Sequence, residues 1–533
     1  MKRFGVMLDC SRNAVMKPQE IKKFASTIKA MGYNMIQLYT EDTYEVKGEP
    51  YFGYMRGRYT YEEIKDVVAY CNEIGVEMIP CIQTLAHLPR IFHWPVYQNI
   101  NDYEDILFVG EERVYTLIEN MFKAVKECFT SEYVHIGMDE SWMLGLGQYL
   151  HKHGVTKRYD ILKSHLERVL EIAKKYELKP IMWSDMFFRL ANKGLYYLDN
   201  PSVSEEVKKG TPKEVGLVYW DYYNSDETFI ENMMKAHMEF DNEVWFAGGA
   251  WTWTGFASGN KKTLETMFPA MEAAQKCGIE NIFLTMWGDN GKETSFYSVL
   301  PSLYAVRRYY DGERDMDKIK AEFKALTGED YDALAALDEP NYVGGNDKCQ
   351  KNVSKQMLFS DPFNGFLDSI VKEGVAEEYK ALAKKLSELG KTSKYGYIFE
   401  SSSALCKVLS VKYDLGLRTR KAYQSGDKTA LSKLINDYED ALYLVEEFHG
   451  KFEKLWFTEN KPNGFDVQDL RFGGLKQRLI SCKNRLSAYL RGEIDSIPEL
   501  EEKLLCYFGD EENFREDIPT YYKWIKAVTA NAL

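Results

Sequence analysis

Two adjacent carboxyl groups, Asp139 and Glu140, end the run His135-Ile136-Gly137-Met138-Asp139-Glu140. Acids this close can divide catalytic labour: one stays ionised and stabilises positive charge while the other gives and takes a proton, provided their surroundings push their pKa values apart. Successive side chains leave opposite faces of a strand, so both acids reach one substrate only if the backbone departs from strand geometry between Gly137 and Glu140. Glycine at 137 makes such a bend accessible. The plainer reading has Asp139 capping the next helix or loop and Glu140 solvated in a first helical turn. Further polar and aromatic groups end other apolar runs: Asp9-Cys10-Ser11-Arg12, Glu41-Asp42, Gln83 with His87, Trp183-Ser184-Asp185, Trp220-Asp221-Tyr222, Trp251-Thr252-Trp253 and Trp287-Gly288-Asp289. Stability alone gives no reason for acids and tryptophans to recur at such ends, whereas a sugar pocket needs both. Individually, Arg12 also fits an ion pair with Asp9 or another acid, His87 a structural histidine, and Trp253 core packing.

The elements that must position these groups alternate. Short β-rich runs at Phe4–Leu8, Met35–Leu38, Glu77–Ile82, Tyr133–Ile136, Pro180–Trp183, Gly216–Trp220, Val244–Gly248 and Asn281–Met286 predict eight strands. Amphipathic stretches between them predict helices at Pro18–Met31, Tyr61–Ile74, Arg113–Cys128, Arg158–Tyr176, Thr228–Glu239 and Leu264–Cys277, with the fifth crossover poorly marked. Met31-Gly32, Ile74-Gly75 and Cys277-Gly278 each place glycine where a helix ends before a strand. Eight such units close most economically into a (β/α)8 barrel, whose chemistry sits at the C-terminal ends of its strands. A doubly wound open sheet is the alternative. Past Asp311-Gly312 the β-runs stop, so residues 1–312 are expected to form the barrel and 313–533 an all-α helical domain. Helices are predicted at Glu377–Leu389, Ser401–Tyr423, Lys428–Phe457, Leu475–Tyr489 and Tyr521–Ala530, and polar loops at Asn341–Ser354 and Thr458–Phe472.

The chain has 533 residues, enough for two cores, and carries a net charge of -13, which disfavours a nucleic-acid surface. Its N-terminal apolar run ends early at Asp9 and reads as a strand rather than an export signal; no run approaches a membrane span. Nine scattered cysteines without a CxxC pair fit reduced thiols and a cytoplasmic location.

The run His135 to Glu140 matches the HxGxDE pattern of family 20 β-N-acetylhexosaminidases, and the barrel part of the chain resembles that family. The resemblance implies that Arg12 binds sugar hydroxyls, that Asp42 and His87 stand for the acid and histidine after strands two and three, and that Trp183, Trp220, Trp253, Trp287 and Asp289 line the pocket. The Tyr-x-Asp usual after strand seven is replaced by Trp251-Thr252-Trp253; Tyr222, with Tyr223 as rival, is the candidate to donate to the acetamido carbonyl. The implied activity is a retaining exo-β-N-acetylhexosaminidase releasing terminal β-linked GlcNAc or GalNAc through an oxazolinium intermediate. Asp139 would orient the substrate's acetamido group and Glu140 would be the acid and base. The implied ligand is an N-acetylhexosamine-terminated oligosaccharide or glycoconjugate, with no cofactor and no metal. The helical domain is expected to pack on the barrel and to narrow the leaving-group side of the pocket or support a homodimer. A chitinase-like barrel acting on N-acetylated sugars is the nearest alternative. A metal-dependent barrel hydrolase fits poorly, because the strand ends supply no His-x-His.

Overall fold

A computed structural model describes residues 2–505 and 507; the predicted helix Tyr521–Ala530 lies outside the described residues. Eight parallel strands close a barrel: β1 (Arg3–Asp9), β2 (Met35–Tyr39), β3 (Glu77–Cys81), β4 (Tyr133–His135), β5 (Lys179–Trp183), β6 (Gly216–Trp220), β7 (Val244–Gly249) and β8 (Asn281–Met286). Each pairs with its sequence neighbours, and β1 closes the ring on β8 from Arg3 opposite Asn281 to Leu8 opposite Met286. The strands are buried along nearly their whole length, which is why they read as continuous apolar runs rather than as alternating ones. β4 is the shortest, paired to β3 only at Cys81 opposite His135.

The crossover helices follow the sequence pattern. Residues Pro18–Ala30, Tyr61–Glu73, Glu112–Cys128, Arg158–Lys175, Glu227–Met238 and Asn260–Cys277 are helical. The poorly marked fifth crossover holds two short helices, Asp185–Ala191 and Glu205–Gly210. Thr60 and Glu63 form a reciprocal capping box that starts the second helix.

The molecule divides into two compact units that a single cut at residue 312 does not separate. Among the described residues, the first holds 2–250, 263–287 and 302–319; the second holds 251–262, 288–301, 320–505 and 507. The inserted segments explain the difference. Phe256 packs its ring 5.2 Å from Phe448 and 5.3 Å from Phe452, and the buried Asp338 accepts hydrogen bonds from Ser258 Oγ (2.8 Å) and the Lys261 amide (2.9 Å). Glu293, in the segment after β8, is buried against Lys355 Nζ at 2.6 Å with Arg471 at 3.1 Å. The unit's main helices are Val375–Gly390, Gly396–Lys412, Leu415–Gln424, Lys428–Glu459 and Phe465–Leu490. The stretch predicted as one helix over Ser401–Tyr423 thus breaks near Tyr413. The predicted loop Thr458–Phe472 shrinks to residues 460–464, because Phe465 and Phe472 are core side chains of the helix Phe465–Leu490 and bury against Phe452 at 6.0 and 6.2 Å.

Lys355 and Glu293 are both nearly inaccessible, and burial pulls the lysine down to about 8 despite the carboxylate beside it. Replacing one partner strands the other in a low-dielectric site. Lys355→Met is expected to cost ~3 kcal/mol, at the low end for a broken buried pair because Arg471 still faces Glu293. A lowered thermal midpoint, partly restored by adding Glu293→Leu, checks this.

Candidate active site

The backbone leaves β4 through a run that strands and helices do not use. Gly137, Met138 and Glu140 all have positive φ (71°, 72° and 47°), so Asp139 and Glu140 no longer alternate as strand residues do. At Gly137 the conformation is also sterically enforced: a Cβ there would lie 1.9 Å from Gln83 Oε1. That glutamine, at the end of β3, accepts from the Met138 amide (3.4 Å) and donates from Nε2 both to Asp139 Oδ1 (3.1 Å) and to the Tyr39 hydroxyl (3.1 Å). It therefore clamps the bend from the neighbouring strand.

Asp139 is buried, and its other carboxylate oxygen lies 3.1 Å from His87 Nε2, a close ion pair off hydrogen-bond alignment. Burial alone would raise the Asp139 pKa. The charge and contact of His87, with Gln83, overcome it and hold the group at about 2. Burial likewise lowers His87, but Asp139 outweighs it and lifts the imidazole to about 9. His87 has a positive φ of 59°, and its amide donates to Asp105 at 2.9 Å, which locks the loop after β3. Across the clamp, Tyr39 donates to Glu41 at 3.1 Å and Arg12 Nε pairs with Glu41 at 2.8 Å. The Arg12 guanidinium also sits 5.4 Å from the Trp287 ring centre. Arg12 thus pairs with Glu41 rather than with Asp9, whose Oδ1 instead accepts the Ser11 and Arg12 amides.

On the other side of Asp139, Asp185 Oδ2 accepts the Glu140 amide (3.2 Å) and Arg189 Nε (2.8 Å), while Oδ1 is buried without a hydrogen-bond partner. Burial, then the charge of Asp139, pushes Asp185 up to about 7, with Arg189 opposing. Arg189 reaches Glu140 Oε1 at 3.7 Å and lies 4.1 Å over the ring of Trp142. The Glu140 side chain is 38% exposed, open to a ligand from solvent, in contrast to its neighbour.

The aromatic residues form a wall. Trp183 and Trp287 lie 6.1 Å apart, and the Trp183 indole N–H is buried without a protein partner. Trp220 stacks on Tyr222 at 5.2 Å. The Tyr222 hydroxyl, kept protonated by burial, is approached by the side chains of Trp287 and Thr285. Asp42 is paired with Arg56 at 3.3 Å instead, so Glu41 is the strand-two acid that meets Arg12. Trp253 and Asp289 belong to the second compact unit; Trp253 is buried and stacks on Trp251 at 4.3 Å. Sequence reading placed Gln83, Glu41 and Asp185 at strand ends without giving them roles, and missed Arg56 and Arg189. Arg189 had a signal: it stands four residues after Asp185 on one helix, the spacing of an ion pair.

Residues 3–228 match the family model described as the catalytic domain of glycosyl hydrolase family 20, and residues 329–518 match the Glycoside Hydrolase 20C C-terminal domain. The chain belongs to glycosyl hydrolase family 20. "Hexosaminidase D" of Bos taurus is 25% identical over 206 residues, spanning 36% of this chain and 56% of that protein. The Homo sapiens "Hexosaminidase D" is 23% identical over 222 residues, spanning 40% and 43%. A "Probable beta-hexosaminidase" of Arthroderma benhamiae is 22% identical over 216 residues, spanning 34% and 35%. The chain thus spans between about a third and somewhat over half of the length of these curated relatives. Among solved structures, a Flavobacterium johnsoniae chitobiase aligns with a TM-score of 0.47 at 16% identity, covering 85% of this chain and 77% of that one. The catalytic-domain match takes in β1 to β6 and so the whole Gln83–Asp139–Asp185 network; Trp253, Trp287 and Asp289 lie beyond it.

Because Asp185 is raised from 3.8 to about 7, the folded protein holds a proton between those values that the unfolded chain has released. Stability therefore falls as pH rises through that window. Asp185→Asn is expected to flatten the fall, by about 1.4 kcal/mol per pKa unit removed. Urea unfolding at pH 4.5 and 7.5 measures it, and an unchanged slope in the variant counts against the assignment.

Proposed function

We propose that this family 20 protein is a retaining exo-β-N-acetylhexosaminidase that works by substrate assistance. The observation that carries the reading is the state of Asp139: a buried carboxylate, held ionised by His87 and oriented by Gln83, beside a Glu140 that remains open to a ligand. A conventional retaining glycosidase needs one free carboxylate to bond the anomeric carbon and a second to protonate the leaving oxygen, about 5 Å apart. Asp139 is poorly suited to bond carbon, since both its oxygens are engaged. It is well suited to accept an N–H and to sit beside developing positive charge.

In the proposed reaction the carbonyl oxygen of the substrate's 2-acetamido group attacks C1 while the bond to the leaving oxygen breaks and Glu140 gives that oxygen its proton. Asp139 accepts the acetamido N–H and stabilises the resulting oxazolinium. Water then attacks C1 as Glu140 takes its proton, the ring opens, and the sugar leaves with its β-configuration. Tyr222, a buried hydroxyl kept protonated, donates to the acetamido carbonyl and sharpens its approach. Arg12, fixed by Glu41, and the Trp183–Trp287 wall hold the ring. Terminal GlcNAc or GalNAc is the proposed substrate, and Asp42 is proposed as a further contributor to hydroxyl binding. The cytoplasmic location is proposed on the scattered cysteines of the sequence alone.

Asp139→Ala is expected to lower kcat by at least about a hundredfold with little change in KM, because the lost interaction strengthens only in the transition state. Asp139→Asn is expected to be similarly poor, since an amide cannot supply the charge. Glu140→Gln should lose most turnover on glycosides with basic leaving groups and much less on activated aryl glycosides. The deciding comparison is a p-nitrophenyl β-glycoside with and without the 2-acetamido group: the latter should be nearly inert. A covalent glycosyl ester on any Asp or Glu, trapped with a fluorinated sugar and seen by mass spectrometry, would refute substrate assistance.

A further inference from the structure

The loops that follow β2 and β3 carry three aromatic rings that the chemistry above does not use. Tyr51 and Tyr54 come from the first loop and Trp94 from the second, and their centroids form a triangle with sides of 5.4, 5.3 and 6.1 Å. These rings are not core. Tyr51 is 43% exposed, Tyr54 42%, and the adjacent Met55 71%, although the interior of the barrel has ample aromatic partners. Among the described residues, neither tyrosine hydroxyl nor the Trp94 indole N–H has a hydrogen-bond partner, so each ring presents an apolar face with a free polar edge.

The loop is also built to stay where it is. Gly53 has a φ of 65°, and a Cβ there would come within 2.0 Å of the Asp42 carbonyl oxygen, so the chain between the two tyrosines lies directly on the backbone at the end of β2. Arg56 pins it again, pairing with the Asp42 carboxylate at 3.3 Å and donating to the Ser11 carbonyl. Met55 is held at a positive φ of 63°, a strained conformation for an exposed side chain. The second loop is anchored by His87, the partner of Asp139. Both loops leave the C-terminal ends of β2 and β3, on the same face of the barrel as Asp139 and Glu140, which follow β4.

We propose that Tyr51, Tyr54 and Trp94 form a carbohydrate platform that binds the second and later rings of a β-linked oligosaccharide on its leaving-group side. The identity of the ligand rests on the hexosaminidase reading. An enzyme that removes a terminal sugar encloses that sugar, so the rest of the chain must extend outward past the rim, and only on the leaving-group side. The axial C–H faces of β-linked pyranoses stack on aromatic rings, and their equatorial hydroxyls meet the free polar edges. Three half-exposed rings are far smaller than the roughly 800 Å2 per partner of a stable protein interface, which argues for a small extended ligand.

The test compares a short and a long ligand in the full-length protein. In Tyr51→Ala/Tyr54→Ala, kcat/KM for p-nitrophenyl β-N-acetylglucosaminide should stay within about twofold, while that for a β-1,4-linked N-acetylglucosamine tetramer should fall about tenfold through KM. Tyr51→Phe/Tyr54→Phe, which keeps the faces, should retain most of the tetramer's advantage, whereas Trp94→Ala should lose it. Calorimetric titration of the same tetramer into the Glu140→Gln protein reads the platform without turnover, and its affinity should drop about tenfold when both tyrosines are replaced. Equal loss on both substrates, or tetramer binding that is absent or indifferent to the three rings, overturns the proposal. Failure of the parent protein to hydrolyse the aryl glycoside would count against the hexosaminidase reading alone; the titration would still decide the platform.

Discussion

A strand cannot present two consecutive side chains to the same space, and much of the site depends on how this chain escapes that rule. β4 stops after three residues, and the next five form a bend held by one glutamine from β3. Gln83 occupies the volume a side chain at 137 would need, takes the Met138 amide, and uses its own amide to orient Asp139. The brevity of β4, the single pair it makes with β3 and the glycine are one arrangement. A longer strand would put Asp139 and Glu140 on opposite faces.

Once the backbone is bent, the neighbours of each acid decide its charge. Asp139 and Asp185 are both buried, yet His87 draws the first far below its ordinary range while the second, with Arg189 on one oxygen only, is driven up. Part of the rise of Asp185 comes from the charge that His87 stabilises on Asp139. Glu41, also buried, is raised by desolvation against the pull of Arg12. Three carboxyls in one pocket are thus sorted by their cations, and Glu140 is distinguished by its exposure to solvent.

Much of this was legible in the sequence because burial on both faces writes strands as plain apolar runs, and all eight are observed within a residue or so of their expected ends. The acid pair and the need for a bend at Gly137 were legible for the same reason. Residue pairing was not. Asp42 and Glu41 are adjacent, and which of them meets Arg12 depends on a single step of register. Arg56 lies in an irregular loop whose path no periodicity reveals. The two mistaken helix boundaries, at Tyr413 and around residues 460–464, fell where aromatic residues that look like loop punctuation are in fact core. The division into units was hidden because the segments 251–262 and 288–301 are joined by sequence to barrel strands but by packing to helices far downstream.

That interleaving has a consequence for biosynthesis. The chain passes between the two units five times, at 250/251, 262/263, 287/288, 301/302 and 319/320. Phe256 leaves the ribosome well before its ring partners Phe448 and Phe452 have been made. At roughly 5–20 residues per second the wait is on the order of ten to forty seconds, during which the Phe256 ring lacks these partners. The first unit is fully synthesised by residue 319 while the second waits for residues far downstream, and because both are interrupted in sequence neither can be exchanged between proteins by a single recombination event. In evolution, the barrel and the helices of this chain travel together.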